Sequence, residues 1–241
     1  MSTIRSKILS RQELAHGTWA FHLAKPTEFS FRPGQAFEIL LPNAAPDAGN
    51  EDRGHAFSIV SAPHEGELVF ATRMRDSTYK RALSALPDGA ELDIDGPFGS
   101  LILHKNNARA GVLIAGGIGI TPFMSMIRHA AYSASEQPLT LLYSNRRPED
   151  AAFLSELERH ASEHHNFVLH ATMTDMANST QTWHGHTQMI DADFIRRTTG
   201  QLPAPIFYIS GPPGLVQGMR DTLVQAGIDE DDVRSEEFYG Y

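Results

Sequence analysis

The sequence predicts two domains in tandem: an antiparallel β-barrel or sandwich, followed by a doubly wound α/β domain with a parallel sheet. Three observations support this prediction. The chain has 241 residues, enough for two small domains that each have a core. Up to about residue 105, short runs of alternating apolar and polar residues are separated by Gly or Pro. After Arg109, continuous apolar runs alternate with helix-length segments, as in βαβ folds.

The first half contains strand-like segments and one helix. The alternating segments are residues 19–23, 36–40 and 68–70. Their spacing is typical of an antiparallel barrel or sandwich. Residues 78–86 have a helical pattern, with Asp76 or Ser77 as the N-cap and Pro87 beyond the end. We therefore expect one helix within an otherwise all-β domain.

The second half alternates strands with helices. Its first strand, residues 112–115, is apolar throughout, which suits a parallel strand covered on both faces. The further predicted strands are 139–143, 167–171, 206–209 and one that begins at Val233. One predicted helix begins at Pro122, and three others cover residues 149–160, 192–197 and 215–225. Residues 104–110 are polar and turn-prone, so the predicted domains are 1–105 and 106–241.

Composition excludes several classes of function. The net charge of -9 argues against a nucleic-acid partner. The chain has no cysteine, which excludes disulfides, thiolate-bound iron–sulfur clusters and a catalytic thiol. Its 12 histidines show no metal-ligand spacing, so no metal site is predicted. The N-terminus lacks a signal-like apolar run, and the uncharged stretch 111–127 is too short and glycine-rich for a membrane span. We therefore expect a cytoplasmic protein whose electron chemistry, if any, uses an organic cofactor.

A glycine-rich loop lies between the strand 112–115 and the helix that follows. Its candidate binding residues are Gly116, Gly117, Gly119, Ile120, Thr121 and Pro122, with Thr121 as the cap and Pro122 as the first helical residue. Glycines let the backbone approach a ligand, and free N–H groups at a helix start attract a diphosphate. The alternative is a turn that only packs the strand against the helix. The spacing is not GxGxxG, because Pro122 stands where the third glycine would be.

Six further segments, in order with this loop, resemble the ferredoxin–NADP reductase superfamily. They are Arg32-Pro33-Gly34-Gln35, His55-Ala56-Phe57-Ser58, Gly96-Pro97-Phe98-Gly99, Tyr143-Ser144-Asn145-Arg146, Gly211-Pro212-Pro213 and Glu236-Glu237-Phe238-Tyr239-Gly240-Tyr241. The resemblance implies an N-terminal barrel that holds FAD and a C-terminal domain that holds NADPH or NADH. It also implies an oxidoreductase that passes electrons from the dinucleotide through the flavin to a separate acceptor.

By this resemblance, the barrel supplies the flavin contacts. Phe57 would contact the isoalloxazine ring and Ser58 would hydrogen-bond near its N5. The residues that would surround the flavin diphosphate at a helix start are Thr72, Arg73, Met74, Arg75, Ser77 and Thr78. His55 stands where the family usually has arginine, and a largely neutral imidazole cannot replace a forked cation. Arg53 or Arg75 would have to compensate, and FMN or weak FAD binding stays open.

The resemblance also assigns the hydride-transfer site. Thr121 and the loop of Gly211, Pro212 and Pro213 would lie beside the nicotinamide. Ser210 replaces the cysteine of many relatives. In the tail, Phe238 and Tyr241 would cover the flavin face, and Glu237 would relay a proton. The catalytic candidates are therefore Ser58, Ser210, Glu237 and Phe238.

Residues at the end of the second parallel strand indicate which coenzyme, NADPH or NADH, is preferred. Ser144, Asn145 and Arg146 are candidate dinucleotide contacts. Arg146 and Arg147 favour the 2′-phosphate of NADPH, because a 2′-hydroxyl reader would more often carry Asp or Glu there. NADH remains the alternative, since Arg147 also precedes a predicted helix.

Three functions compete at this point. The first is a reductase for a separate acceptor such as ferredoxin, flavodoxin or an oxygenase. The second is a free-flavin or ferric-chelate reductase, which His55 favours because weak binding suits flavin as a substrate. The third is a non-catalytic regulatory module that binds flavin and dinucleotide, suggested by the departures at His55 and Ser210.

Overall fold

The computed structural model describes residues 3–42 and 54–238, which form two sheets, one antiparallel and one parallel. The predicted contributions of Arg53 and Tyr241 lie outside the described residues. The sequence patterns explain the two kinds of sheet. Segments with alternating apolar residues bury one face, as in the antiparallel sheet, and continuous apolar segments bury both faces, as in the parallel sheet.

The N-terminal sheet has six antiparallel strands in the order β4-β3-β6-β1-β2-β5. The strands are β1 Ile4–Ala15, β2 Thr18–Ala24, β3 Ala36–Leu40, β4 Gly54–Ser58, β5 Glu67–Arg73 and β6 Glu91–Phe98. The two edges approach each other, because the amide of Val60, just after β4, donates to the carbonyl of Val69 in β5 at 2.7 Å. The sheet therefore closes into a barrel around a core that includes stacked Phe21 and Phe70.

Helix α1, Thr78–Ala85, packs on this barrel through Tyr79 and Leu83. The Ser77 side chain caps it by accepting from the amide of Lys80 at 3.2 Å, which confirms the predicted N-cap. The Tyr79 hydroxyl donates to the carbonyl of Ile39 in β3 at 2.9 Å. The start of α1 is thereby fixed against the barrel.

The C-terminal sheet has five parallel strands in the order β11-β10-β7-β8-β9. The strands are β7 Gly111–Gly116, β8 Leu139–Asn145, β9 Phe167–Met173, β10 Ile206–Gly211 and β11 Val233–Glu237. The helices are α2 Thr121–Tyr132, α3 Leu154–Glu163, α4 Ala192–Thr199 and α5 Pro213–Gln225. The predicted fold class is confirmed. The order reverses between β7 and β10, and ligands of such sheets bind outside the carboxyl ends at that point.

Two local predictions were wrong. Thr121 does not cap α2: it is the first helical residue, and its hydroxyl donates to the carbonyl of Ile118 at 3.0 Å. The cause is a 3₁₀ turn, Gly117–Ile120, that leads directly into the helix and needs no side-chain cap. The helix predicted over 149–160 is a 3₁₀ turn followed by α3, because Phe153 takes a left-handed φ of 62° that separates the two.

Direct contacts join the two halves. The Ser125 hydroxyl on α2 donates to the carbonyl of Ser61 at 2.7 Å. On the other side, the amide of His16 donates to the carbonyl of Glu149 at 2.8 Å. Within the described ranges, no helix is long and apolar enough to cross a membrane.

Candidate functional site

A cleft of about 660 Å³ lies where the carboxyl ends of β7, β8 and β10 face the barrel. The predicted residues that line it are Arg73, Met74, Arg75, Gly116, Gly117, Ser144, Asn145, Arg146, Pro212 and Phe238. The lining also includes Arg147, which the sequence linked to a 2′-phosphate, and residues that sequence reasoning left out of the site, namely His16, Gly17, Ile118, Asp150, Thr174, Asp175, Asn178, Met189 and Leu215. The cleft therefore sits at the reversal of strand order, where the fold predicts a ligand.

Two positions of the loop require glycine, each for a different geometric reason. Gly117 has a φ of +54°, in the left-handed region that favours glycine. A Cβ on Gly119 would lie 2.2 Å from the carbonyl oxygen of Ser210, so only glycine lets the turn rest on the end of β10. The loop therefore serves tight packing at Gly119 and leaves the Gly117 backbone at the cleft.

Arg73 reaches from the barrel to this loop. Its guanidinium nitrogen would lie 3.7 Å from a Cβ on Gly117. Arg73, Met74 and Arg75 had been assigned by resemblance to the flavin diphosphate, and in the structure they also line the cleft beside the dinucleotide loop. A cation and a glycine-rich turn that face each other form an arrangement suited to a diphosphate.

Two buried hydroxyls, one from each half of the chain, lack hydrogen bonds. Ser58 ends β4 and Ser210 lies in β10, at 6% and 0% exposure. Neither Oγ has a partner within the described part of the chain. An unsatisfied buried polar group costs about 1–3 kcal/mol. A hydroxyl can both donate and accept a hydrogen bond, so each of these residues is a candidate contact for a polar ligand.

Asn145 presents a third unsatisfied group. Its side chain is 5% exposed, lines the cleft, and neither amide atom is hydrogen-bonded to a described residue. The neighbouring Ser144 also lines the cleft at the end of β8. The end of this strand therefore offers both a donor and an acceptor to a polar ligand.

Both arginines after β8 are paired with carboxylates. Arg146 contacts Asp175 at 2.9 Å, and Arg147 makes a bidentate contact with Asp150 at 2.8 Å for each bond. The side chains of Asn178 and Arg146 lower the pKa of Asp175, so its carboxylate is charged at neutral pH. Asp175 follows β9, but its contact with Arg146 joins the segments after β8 and β9, which no local sequence pattern shows to be neighbours. Asp150 lies in a 3₁₀ turn. The sequence predicted a regular helix there, so a contact between Asp150 and Arg147 was not expected.

The segment of β4 that the resemblance predicted to contact flavin lies against α1. The His55 ring packs edge-on against Tyr79, with 4.2 Å between centroids, and remains exposed. Phe57 is 4% exposed and its ring lies 4.6 Å from that of Phe70. Ala56 is exposed, and Thr72 is fully buried at the end of β5. Lys80, which sequence reasoning missed, places its ammonium 4.9 Å from the centre of the Phe57 ring.

The remaining predicted residues surround these features. Ile120, Thr121 and Pro122 are buried beneath the loop, and Gly211 and Pro213 flank Pro212 at the start of α5. Ser77 and Thr78 are exposed at the start of α1.

The C-terminal segment runs beside the cleft. Strand β11 pairs with β10, with Glu237 opposite Gly211. The amide of Phe238 donates to the carbonyl of Gly211 at 2.9 Å, and the Phe238 ring lines the cleft. Glu237 is half-buried. Burial raises the pKa of the adjacent Glu236.

An antiparallel barrel joined to a doubly wound domain, with a glycine-rich loop at the reversal of strand order, is the two-domain arrangement that the resemblance to ferredoxin–NADP reductases predicted. Residues 113–221 match the family model described as the oxidoreductase NAD-binding domain. The superfamily fold that the sequence resemblance predicted is thus confirmed.

Three known proteins illustrate the similarity. Methane monooxygenase component C of Methylosinus trichosporium is 31% identical over 56% of this chain and 38% of its own length. The xylene/toluene monooxygenase electron transfer component of Pseudomonas putida is 26% identical over 97% of this chain and 65% of its own length. A ferredoxin NADP⁺ reductase from Neisseria gonorrhoeae, solved with FAD and NADP, superposes with a TM-score of 0.79 at 19% identity and covers 98% of both chains. The chain thus spans less than two thirds of the length of the two curated relatives.

Proposed function

We propose that this chain is an NAD(P)H-dependent flavin oxidoreductase that passes electrons from the dinucleotide through FAD to a separate acceptor. The observation that carries the proposal is the cleft at the end of β7, where Arg73 of the barrel faces Gly117 of the parallel-sheet domain. One cleft thereby combines an anion-binding loop with a cation from the other half of the chain. The names of the relatives, an oxygenase electron transfer component and an FAD-containing reductase, agree with this assignment.

In this proposal, separate residues contact the diphosphate, contact the two rings and cover the site. Backbone N–H groups of the loop and Arg73 hold the dinucleotide diphosphate. Ser58 and Ser210 donate to or accept from the two rings, since both hydroxyls are buried and unsatisfied by the described chain. Phe238, held by Gly211, covers the site and excludes water. The flavin, when bound, accepts the hydride of the nicotinamide.

NADH is the coenzyme that the charges of the cleft favour. A 2′-phosphate beside Arg146 and Arg147 would meet Asp150 and Asp175, which already pair with those arginines. A 2′-hydroxyl instead donates to a carboxylate. The arginines that favoured NADPH on sequence grounds are therefore balanced by acids that the sequence pattern did not reveal.

The acceptor is either a separate electron-carrier protein, such as a ferredoxin, a flavodoxin or an oxygenase, or a small molecule. The chain has no cysteine and so cannot itself supply thiolates for an iron–sulfur cluster. A free-flavin or ferric-chelate reductase is the second candidate. The exposed His55 favours it, because that position provides no permanent cation to hold a flavin.

An anaerobic visible spectrum tests the proposal. The purified protein, alone or after incubation with FAD, is expected to show a bound-flavin spectrum that bleaches on addition of NADH. Flavin lost on dialysis, with continued NADH-driven reduction of added riboflavin, would support the second candidate. Binding of flavin and dinucleotide without any bleaching would indicate a regulatory module, and no binding of FAD or FMN would contradict the flavin assignment.

A further inference from the structure

The short 3₁₀ turn Pro148–Asp150 is bonded both to the barrel and to the segment that follows β9. On the barrel side, the amide of His16, which lines the cleft, donates to the carbonyl of Glu149 at 2.8 Å. On the other side, the Glu149 carboxylate accepts from the hydroxyl of Ser179 at 2.8 Å and from the amide of Thr180 at 3.0 Å. Through its backbone and its side chain, Glu149 therefore connects two parts of the chain that flank the cleft.

Glu149 is not itself among the described residues that line the cleft. Its side chain is 14% exposed. The hydrogen bond from the Thr180 amide is the main cause that holds the pKa of Glu149 at about 2, below the ordinary value of 4.5. The carboxylate is therefore charged at neutral pH, and hydrogen bonds to an ionised acceptor are stronger than those to a neutral one.

The segment held by Glu149, residues 175–180, carries two residues of the cleft, Asp175 and Asn178. The side chain of Asn178 donates to the carboxylate of Asp175 at 2.8 Å. The carbonyl of Asn178 accepts from the guanidinium of Arg147 at 3.3 Å. Because Asn178 directly precedes Ser179, a shift of the bonded residues would move Asn178 and, through it, the Asp175 side chain. The geometry of this side of the cleft thus depends on a carboxylate outside the cleft.

We propose that Glu149 is a positioning residue for the dinucleotide, which holds segment 175–180 so that the Asp175 carboxylate faces the adenosine ribose. The inference rests on the proposed function, in which the ribose 2′-hydroxyl donates to a carboxylate of the cleft. Glu149 contacts neither the coenzyme nor the reacting atoms. Its loss should therefore weaken binding of the adenosine half of the coenzyme and leave turnover at saturating NADH intact.

The test compares Glu149→Ala with Glu149→Gln. Alanine removes both acceptor oxygens, whereas the amide oxygen of glutamine still accepts from the Thr180 amide. The matched control is Glu163→Ala, which removes an exposed glutamate that pairs with Arg159 on α3. ADP is the binding probe, because it carries the adenosine ribose but no nicotinamide, and calorimetry gives its Kd. Steady-state kinetics of the FAD-loaded protein, with NADH and ferricyanide, give kcat and KM, and urea unfolding shows whether each variant is folded.

We expect Glu149→Ala to raise the Kd of ADP and the KM of NADH about tenfold, with kcat within about twofold of the wild-type value. Glu149→Gln should stay within about threefold of wild type in both constants, and Glu163→Ala should equal wild type. A wild-type Kd of ADP in Glu149→Ala, or a lower kcat with an unchanged KM, would overturn the proposal.

Ser179→Ala is the milder variant if Glu149→Ala does not fold, because it removes only the 2.8 Å bond to the carboxylate. Binding of ADP about threefold weaker than in wild type would then support the proposal, and wild-type binding would overturn it.

The wild-type protein separates the two levels of inference. If it binds neither ADP nor NADH, the proposed function fails and the role of Glu149 fails with it. If it binds ADP and NADH reduces its flavin, but Glu149→Ala binds ADP as wild type does, only the role of Glu149 fails.

Discussion

The carboxylate of Asp175 holds the guanidinium of Arg146 at 2.9 Å beside the cleft, and this pair bears directly on coenzyme choice. We expect Asp175→Asn to raise the ratio of kcat/KM for NADPH to that for NADH about tenfold, or ~1.4 kcal/mol in transition-state binding. The reason is that the change removes a negative charge near a 2′-phosphate and releases Arg146. Steady-state kinetics with both coenzymes measure the ratio.

Asp193→Asn is the matched control, because Asp193 pairs with Arg196 on α4 and does not line the cleft. Its coenzyme ratio should equal that of the wild type. A ratio unchanged in Asp175→Asn would show that the Arg146–Asp175 pair does not face the adenosine ribose.

Single residues show where sequence reasoning succeeds and where it stops. The loop glycines, Ser144 and Asn145 were found because they directly follow apolar strands, and strand ends meet at one edge of a parallel sheet. Lys80 and Asp175 were missed because their partners lie on other elements: Phe57 on β4 for Lys80, and Arg146 after β8 for Asp175. No local sequence pattern shows that the segments after β8 and β9 lie side by side. The amide of Asp175 donates to the carbonyl of Arg146, and this contact exists only in the folded sheet.

At the scale of elements, the 3₁₀ turn Gly117–Ile120 packs closely against the backbone at the end of β10. A Cβ at Gly119 would lie within 2.7 Å of three backbone atoms of Ser210 and Gly211, which cannot rotate away. We expect Gly119→Ala to destabilise the protein by about 1–3 kcal/mol, the usual range for overpacking. It should also weaken dinucleotide binding, since the turn carries the proposed anion site. Urea unfolding and NADH titration measure the two effects.

Gly218→Ala provides the comparison for Gly119→Ala. Gly218 lies within α5, and nothing surrounds the position that a Cβ would take. Alanine there should stabilise the protein by about 0.5–1 kcal/mol, because glycine is a poor helix former. Equal effects of the two substitutions would contradict the close approach of the turn to β10.

The element predictions depended on periodicity, and they failed where other geometry intervened. The strands β7 to β10 and helix α1 were predicted closely because their apolar spacing is local. The helix predicted over 149–160 was interrupted, because the pair of Arg147 and Asp150 stabilises a short turn and Phe153 then takes a left-handed conformation. An isolated apolar pattern contains no information about such a reversal.

At the scale of the whole molecule, an ion cluster joins α2, α3 and the barrel. Arg128 makes a bidentate contact with Glu156 at 2.7 and 2.9 Å and approaches Glu65 at 3.5 Å. His160 also lies 3.6 Å from Glu156. Because Glu65 precedes β5 and the other residues belong to the parallel-sheet half, the cluster helps to hold the two halves together.

This cluster predicts how stability depends on pH. Burial acts to raise the pKa of Glu156, but bonds from His160 and Arg128 outweigh it and hold the pKa at about 2, below the ordinary value of 4.5. A lowered folded-state pKa contributes stability above pH 4.5, and that contribution is lost as the pH falls towards 2. We expect Glu156→Gln to lower the free energy of unfolding at pH 7 by about 1–2 kcal/mol, after allowance for partial solvent screening. The difference from wild type should shrink as the pH drops below 4.5, as measured by urea unfolding at several pH values.

Glu163→Gln, which breaks an exposed pair with Arg159, should cost at most about 0.5 kcal/mol. A Glu156→Gln deficit that stayed constant from pH 7 to pH 3 would show that the glutamate acts through packing rather than through its charge.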